Sequence, residues 1–423
     1  MSTPTTSEPL APAGVDLTDL DLFERGLAWQ AFDVLRREDP VHWNPEPAPN
    51  SGFWSVTRYE DIVAVERDPQ TFTSTRFVNL EEVDDESAEI RRSLLETDGD
   101  RHRALRRLLQ RDFSRQALCR YEGFLRGLTE ASVEAALREG EFDFVERISA
   151  GYPIRVLARL LDVPDRAADR LVAWGNRMSN NTDPDFAEVL LPDPESERYR
   201  HLPFRSPAAL EVFAHGRELA RRRRGAGGDD LVSSLINRVP EDGVPLTAAE
   251  FDNYFLLLVV AGNETTRHTI SHAMLALLRE PDQLALLQQH PELIPAAVEE
   301  MLRWASPVYH FRRTATRDAL LGGRSIQAGN KVVIWFASGN RDEEVFADPY
   351  RFDATRAPND HLAFGRGGPH YCLGSHLARL EIRLMFETLL PRIGHARLIG
   401  EPTRVRSNFV NGIKTLSVRI TAC

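Results

Sequence analysis

A single cysteine lies in a glycine-rich loop near the C-terminus. The loop runs from Phe364 to Gly374 with the letters FGRGGPHYCLG, and a helical pattern follows from Ser375 to Thr388. Glycines let backbone amides approach the Cys372 sulfur, and a helix N-terminus stabilises a thiolate, which is a ligand for iron. One cysteine does not match the paired spacing of zinc and iron–sulfur sites. The alternative is an unreactive buried cysteine.

Glu264 and Thr265 stand side by side in the middle of an apolar stretch. They follow Gly262, and a glycine in mid-helix costs about 1 kcal/mol relative to alanine. Such a site can kink the helix and open its hydrogen bonds to water. A carboxylate beside a hydroxyl can deliver protons, so we interpret this pair as catalytic and Thr266 as structural. A polar patch facing another helix is the alternative.

Two further pairs have helical spacing. Glu300 and Arg303 are three residues apart and can form an ion pair, which needs another partner if it is buried. Arg351 and Arg356 are both candidates for that partner. The second pair is His268 and His272, which have a metal-binding spacing but no third ligand, so we interpret them as packing residues.

These side chains require a largely helical scaffold. The strongest helix is expected from Ala248 to Arg279, with a capping box at Thr247 and Pro281 after its end. Its middle is apolar on all faces, which predicts a central position. Other helical patterns cover Arg103–Phe113 and Ala208–Arg223. Residues Phe53–Thr57, Lys331–Phe336 and Thr415–Thr421 read as strands, so the fold class is mainly α (α+β) with small sheets.

Composition limits the classes of function. The net charge of -11 argues against a nucleic-acid partner, and the apolar run Phe255–Gly262 is too short for a membrane span. No signal peptide is recognisable and three cysteines cannot form a disulfide framework, so a cytoplasmic location is expected. We expect a disordered tail at 1–14 and a single domain at 15–423.

Together, these motifs resemble those of cytochromes P-450. The cysteine loop is similar to the family's haem-binding loop, but it is one residue longer between Phe364 and Cys372. That longer loop, and the stretch Ser407–Lys414, resemble a bacterial branch that oxidises steroid side chains and methyl-branched lipids. The resemblance implies the P-450 fold, haem b with Cys372 as its axial ligand, Glu264 and Thr265 as the acid–alcohol pair, and Glu300 and Arg303 as structural residues.

The resemblance also implies the contacts to haem. His102 and Arg106 match the family's His-x-x-x-Arg pair, although Gly99 and Asp100 replace the two prolines often found before it. Cations and donors of this kind bind the propionates. The expected cofactor-binding residues are His102, Arg106, Ala261, Arg313, Phe364, His370, Cys372 and Gly374.

The implied activity is monooxygenation, in which one atom of dioxygen enters a C–H bond of an apolar small molecule. We favour a terpenoid, steroid or branched lipid, and tailoring of a polyketide or other secondary metabolite is the alternative. The expected substrate-contacting residues are Val260, Ala261, Val308, Phe311, Phe409 and Val410. The acidic segment Glu81–Ser87 and the region Asn180–Ser206 are unusually polar for the entrance to such a site.

Electrons must come from other proteins, because the chain carries no flavin or nicotinamide motif. A basic patch on an acidic protein would attract a ferredoxin-type donor, which its reductase would supply. The expected patch consists of Arg103, Arg107, Arg111, Arg366 and Arg379, with a solvated charged face as the alternative. A monomer is expected. A peroxide-using haem enzyme and a noncatalytic haem protein are the other classes considered, and the intact acid–alcohol pair argues against both.

Overall fold

The computed structural model describes residues 10–48 and 50–422, except for the side chains of 165–167. The α-helices are α1 Leu20–Glu24, α2 Ala28–Glu38, α3 Tyr59–Arg67, α4 Asp85–Ile90, α5 Gly99–Gln110, α6 Arg115–Cys119, α7 Glu122–Leu137, α8 Gly151–Leu160, α9 Asp165–Ser179, α10 Ala208–Arg223, α11 Leu231–Asn237, α12 Ala248–Arg279, α13 Pro281–Gln289, α14 Ile294–Ala305, α15 Phe336–Gly339 and α16 Ser375–Leu389. The strands are β1 Val41–Asn44, β2 Phe53–Val56, β3 Phe72–Thr73, β4 Glu141–Asp143, β5 Phe311–Ala315, β6 Ala319–Leu321, β7 Arg324–Ile326, β8 Lys331–Ile334, β9 Ile393–Leu398, β10 Thr403–Arg404, β11 Ile413–Thr415 and β12 Ser417–Ala422.

Helix α12 has the predicted bounds and the predicted capping box at Thr247. It packs against α8, α9, α10, α14 and α16, so it runs through the centre of the molecule. Between Phe251 and Leu277 every residue is buried except Leu257, Ala261, Gly262 and Thr265. A helix buried on almost every side is stabilised mainly by this packing.

The strands form small sheets beside the helical body. The largest has the order β1-β2-β8-β5-β3, in which β2 and β8 are parallel and Phe53 pairs with Lys331. A second sheet places β12 between β4 and β9. Strands are therefore present at all three predicted places, and the mainly helical fold class is confirmed. Their bounds differ, because the second strand ends at Ile334 before α15 and the third is divided between β11 and β12.

Helix α5 differs from its predicted bounds. It begins at Gly99 instead of Arg103 and ends at Gln110 instead of Phe113. The early end has a local cause, because Ser114 caps the next helix by accepting a hydrogen bond from the Ala117 N–H at 3.2 Å.

The ends of the chain are only partly described. Pro12–Gly14 form a 3-10 turn, and the rest of the predicted tail lies mostly outside the described residues. Among the described helices, none combines the length and the apolar character that a membrane crossing requires.

Candidate active site

Cys372 sits three residues before the N-terminus of α16. Its backbone N–H donates to the carbonyl of Phe364 at 2.9 Å, which closes the loop. Burial raises the pKa of the Cys372 thiol, while the N–H of Gly374 and the charges of Arg106 and Arg379 act to lower it. The loop therefore supplies one backbone donor, and α5 and α16 supply two nearby cations that would stabilise a thiolate.

The loop needs its glycines because it presses against the end of α3. A Cβ at Gly368 would lie 2.3 Å from the carbonyl oxygen of Glu66, and one at Gly365 would lie 2.6 Å from the Glu66 carboxylate. Gly365 also has a φ of +72°, which favours glycine. Glu66 accepts a hydrogen bond from the Arg366 N–H at 2.7 Å, so a buried carboxyl anchors the loop from behind.

Three of the four residues in the middle of α12 that are not buried form one stripe. Leu257, Ala261 and Thr265 are spaced by four residues, so they lie on the same face of the helix. The Thr265 hydroxyl donates to the Ala261 carbonyl at 3.0 Å. A small residue and a hydroxyl thus face open space in the centre of an otherwise buried helix.

Glu264 faces the other way. Its carboxylate accepts from Arg267 at 3.3 Å, from His268 at 3.2 Å and from Asn180 at 3.4 Å. Although burial opposes ionisation, Arg267 and His268 hold the pKa of Glu264 at about 2. The predicted acid and alcohol are neighbours in sequence, but their side chains occupy different faces of α12.

His268 and His272 pack as predicted. The Nδ1 atom of His268 accepts from the Ile413 N–H at 3.3 Å, so Nε2 carries the proton that is donated to Glu264. His272 contacts the Asn411 carbonyl at 3.1 Å. Within the described residues, no cluster of three or more His, Cys, Asp or Glu side chains could hold a metal ion.

The expected propionate-binding residues lie close together. The rings of His102 and His370 are 4.2 Å apart. Burial, together with the charges of His370, Arg106 and Arg313, lowers the pKa of His102 to about 4. A cluster of cationic and donor groups around a neutral histidine suits two carboxylates.

Two atoms in this cluster support that fit. The Nε2 atom of His102 is buried and has no hydrogen-bond partner among the described residues. The Arg313 guanidinium is buried and donates to the Arg312 carbonyl at 2.9 Å, without an ion pair in the described part of the chain. Buried donors of this kind need acceptors, and the propionates of haem would supply them. The residues present therefore fit the expected cofactor.

His370 has a partner that the sequence did not predict. Its Nε2 atom lies 2.8 Å from Asp98, which also accepts from Ser74. Although burial favours a neutral acid, hydrogen bonds from His370, Thr73 and Ser74 lower the pKa of Asp98. Only Nδ1 of His370 is left for a further contact. Asp98 directly precedes α5, and this position was the one signal that could have identified it.

The expected substrate residues fall into neighbouring groups. Val308 and Val410 are joined by an isolated β-bridge, and the rings of Phe311 and Phe409 are 6.0 Å apart. Phe409 lines a cavity of about 70 Å³ together with Leu257. Val260 is buried, whereas Ala261 lies on the open stripe of α12.

The buried Glu300–Arg303 pair is completed by Arg356. Two hydrogen bonds of 2.7 Å join Arg303 to Glu300, and Arg356 donates to Glu300 at 3.1 Å. Arg351 contributes only its backbone carbonyl. The geometry thus selects Arg356 from the two candidates that the sequence left open.

Most arginines of the predicted basic patch are paired with carboxylates, so the patch has less free charge than the sequence indicated. Arg103 is paired with Asp100, Arg107 with Glu241, Arg366 with Asp360 and Arg379 with Glu299. Arg379 also stacks on the Phe364 ring at 4.6 Å and thereby supports the cysteine loop. Only Arg111 of the five has no ion pair with the described residues.

An open groove reaches Cys372 on this side of the molecule. Its volume is about 1070 Å³, and it lies between α5, the segment after α11 and the cysteine loop. Four arginines and His376 line it, while Glu241 is the one carboxylate among its lining residues. The arginines are Arg106, Arg107, Arg111 and Arg238.

Comparisons with known proteins agree with this geometry. Residues 51–396 match the family described as Cytochrome P450. The chain is 35% identical to a steroid C26-monooxygenase of Mycolicibacterium smegmatis, over 98% of this chain and 95% of that protein. It is 38% identical to a linalool 8-monooxygenase of Pseudomonas putida, over 95% of this chain and 98% of that protein.

A solved structure extends the likeness to the fold. A Mycobacterium marinum cytochrome P450 in complex with pseudoionone superposes with a TM-score of 0.86 at 35% identity. The superposition covers 99% of this chain and 100% of that one. The expected fold is confirmed, and so is the likeness to relatives that oxidise steroids. The chain belongs to the cytochrome P450 family.

Proposed function

We propose that this cytochrome P450 hydroxylates a terpenoid, steroid or branched lipid, with electrons from a ferredoxin. The enzyme is a haem-dependent monooxygenase that oxidises an apolar small molecule. The observation that carries the proposal is the open stripe of Leu257, Ala261 and Thr265 on α12. Helix α12 packs against α16, the helix that follows Cys372.

Haem bound through a cysteine thiolate supplies the activation of dioxygen. In this chain Cys372 would ligate the iron, with the Gly374 N–H and the positive charge of Arg106 stabilising the thiolate. His102, Arg106, Arg313 and His370 would hold the propionates. Ala261 would leave room for dioxygen and substrate beside the bound haem, because its side chain is a single methyl group.

Thr265 and Glu264 would divide the delivery of protons. The Thr265 hydroxyl lies on the open stripe, where it can hold a proton at Oγ1 beside the reacting atoms. Glu264 is ionised and bound to Arg267, His268 and Asn180, so its carboxylate must leave these partners to pass a proton toward Thr265. Because the carboxylate is held, proton delivery is controlled by this network.

Thiolate ligation is tested by spectroscopy of the haem-loaded protein. Cys372→Ala should abolish the thiolate-type absorbance of the reduced carbon monoxide complex, because no other cysteine side chain in the described residues lies at this site. Cys119→Ala is the matched control and should keep the spectrum, since Cys119 is exposed on α6. Retention of the thiolate spectrum in Cys372→Ala would overturn the assignment.

The substrate class is tested by an absorbance titration of the ferric protein. A substrate that fits displaces distal water and shifts the iron toward high spin. We expect a saturable shift with terpenoids, steroids or branched lipids, and none with macrolides. A shift with macrolides alone would indicate the tailoring of a secondary metabolite instead.

A ferredoxin-type donor is proposed from the groove that reaches Cys372. Its lining is predominantly basic although the chain has a net charge of -11, and that contrast would guide an acidic protein to the groove. Arg111 is the central candidate because it is exposed and unpaired among the described residues. A cytoplasmic location, a monomeric state and a single domain over 15–423 remain predictions.

A further inference from the structure

A small, mostly apolar cavity lies at the outer end of the open stripe on α12. Its apolar walls include Leu257, Phe204 and Phe409. Three polar side chains also line it and are almost fully buried, with exposed fractions of 2% for Arg91, 6% for Glu96 and 3% for Asn253. Buried polar groups of this kind normally have hydrogen-bond partners.

Each of these three side chains keeps one polar atom without a partner in the described part of the chain. Asn253 donates through Nδ2 to the Ile90 carbonyl at 2.7 Å, which leaves Oδ1 as a free acceptor. Glu96 accepts from the Ser93 N–H at 3.1 Å through Oε2, so in the neutral form of Glu96 the proton lies on Oε1, which can donate it. A buried acceptor left unpaired costs about 1–3 kcal/mol, which gives this cavity a need for a donor.

Arg91 supplies a hydrogen-bond donor to the same cavity. Its two terminal nitrogens bind both oxygens of Glu81 at 2.8 and 2.7 Å, and its Nε–H has no partner among the described residues. The guanidinium also lies over the Phe77 ring at 4.3 Å. The cavity is therefore bordered by an unpaired acceptor and by donors, as a hydroxyl group would require.

Charge disfavours an ionised ligand. Glu81 neutralises Arg91 and also binds Arg205 at 2.6 Å, while Arg205 binds Glu197 at 2.8 Å. Burial raises the pKa of Glu96, which favours its neutral form. Neither an ammonium nor a carboxylate would find an uncompensated counter-charge here, so a neutral group fits best.

The cavity is large enough for one end of a substrate but not for a complete substrate. Its volume of about 70 Å³ can hold a hydroxyl and the adjoining carbons. A complete substrate pocket is several times larger, typically about 300–1,000 Å³. Eight residues of helix separate Asn253 from Ala261, which corresponds to about 12 Å along the α12 axis. Leu257 lies midway and belongs to both the cavity and the stripe.

We propose that this cavity binds a hydroxyl group of the substrate, with Asn253 as acceptor and Arg91 and Glu96 as donors. The carbon that is oxidised then lies about 12 Å away, near Ala261 and Thr265. The substrate is an apolar alcohol, such as a terpenoid alcohol, that is oxidised far from its existing oxygen. This inference rests on the proposed function and names the substrate class within it.

The test compares probes of one length on the haem-loaded enzyme. Decanol, methyl decyl ether, decanoate and decane are titrated by calorimetry and by the spin-state shift. In the wild type we expect decanol to bind more tightly than the ether or the acid, although the ether is the more hydrophobic. Equal or weaker binding of decanol relative to the ether would overturn the inference.

Two variants test these contacts. The ratio of the decanol and decane dissociation constants is measured in the wild type, Asn253→Leu and Glu96→Met, because a ratio cancels the difference in aqueous solubility. Removal of either polar group should change this ratio against decanol by about tenfold, the equivalent of one buried hydrogen bond. The control Leu256→Val also alters the cavity wall, but it should weaken both probes alike.

The outcomes separate this inference from the proposed function. A change in either variant supports the hydroxyl site and identifies a side chain that contacts the hydroxyl. If both variants leave the ratio unchanged while decane still shifts the spin state, the hydroxyl site is wrong and the apolar pocket stands. If no probe binds the haem-loaded protein, the apolar substrate itself is wrong.

Discussion

Neighbouring residues on α12 have separate tasks because a helix turns by about 100° per residue. Glu264 points into a buried network with Asn180, Arg267 and His268, whereas Thr265 lies on the open stripe. A sequence pattern reports that an acid and an alcohol are adjacent. It does not report that the acid is held by Arg267 and His268 of α12 itself and by Asn180, which follows α9.

Replacing Thr265 separates electron consumption from product formation. In Thr265→Ala the hydroxyl on the open stripe is lost, so protons reach the reacting atoms without control. We expect the product formed per reducing equivalent to fall severalfold and hydrogen peroxide to appear instead. The measurement is the ratio of peroxide to hydroxylated product during turnover.

Thr266→Ala serves as the matched control for this experiment. Thr266 is buried one position further along the helix and lies off the stripe, so its loss should leave the product yield per electron unchanged. Full coupling in Thr265→Ala would contradict the assigned role.

At the scale of helices and strands, the sequence predicted the features that depend on patterns among neighbouring residues. The bounds and capping box of α12 were predictable because periodicity and caps are encoded in adjacent residues. The Glu300–Arg303 pair was predictable for the same reason. Its third member was not, because Arg356 reaches Glu300 only after a long loop has folded back onto α14.

The site was predicted less completely for a related reason. Asp98 binds His370 across 272 residues, and Asn180 binds Glu264 across 84. The cavity around Asn253 also depends on segments that are distant in sequence. Contacts between distant segments follow from tertiary packing, and a single sequence carries no pattern that identifies them.

The buried network on α14 distinguishes Arg356 from Arg351. Arg356→Met removes a charged hydrogen bond to a fully buried carboxylate, so we expect the free energy of unfolding to fall by about 2 kcal/mol. Arg351→Met removes an exposed side chain and should change it by less than about 0.5 kcal/mol. Urea denaturation of the haem-loaded proteins measures both, and equal effects would contradict the structure.

The anchor of the cysteine loop on α3 predicts a pH dependence of stability. Burial raises the pKa of Glu66 from 4.5 to about 7. Glu66 therefore keeps its proton longer in the folded protein than in the unfolded chain. Its contribution is present below pH 4.5 and is lost as the pH rises through about 7, by roughly 3 kcal/mol at most.

Substitution of Glu66 tests the direction of this effect. Glu66→Gln cannot ionise, so its melting temperature relative to the wild type should rise between about pH 5 and pH 8. Glu60→Gln on the exposed side of the same helix is the control and should follow the wild type. A constant difference between Glu66→Gln and the wild type across this range would show that Glu66 ionises normally.

At the scale of the whole molecule, charge is distributed unevenly. The chain carries 63 acidic and 52 basic residues, yet one carboxylate stands among four arginines and a histidine in the groove at Cys372. Glu241 already pairs with Arg107, which reduces the effect expected from reversing that arginine. The free charge of the groove is concentrated at Arg111 instead.

Reversal of that charge should slow electron transfer from an acidic ferredoxin. In Arg111→Glu we expect the second-order rate of reduction to fall severalfold at low salt, because attraction becomes repulsion. The difference should shrink at high salt, since the Debye length falls from about 10 Å at 0.1 M to about 3 Å at 1 M.

Arg224→Glu is the control, because Arg224 is also exposed and free of ion pairs with described residues but lies at the end of α10, outside the groove. The rate of reduction of both variants by one ferredoxin preparation is measured by stopped flow. Equal slowing would show that the rate depends on the net charge of the molecule and not on the position of Arg111.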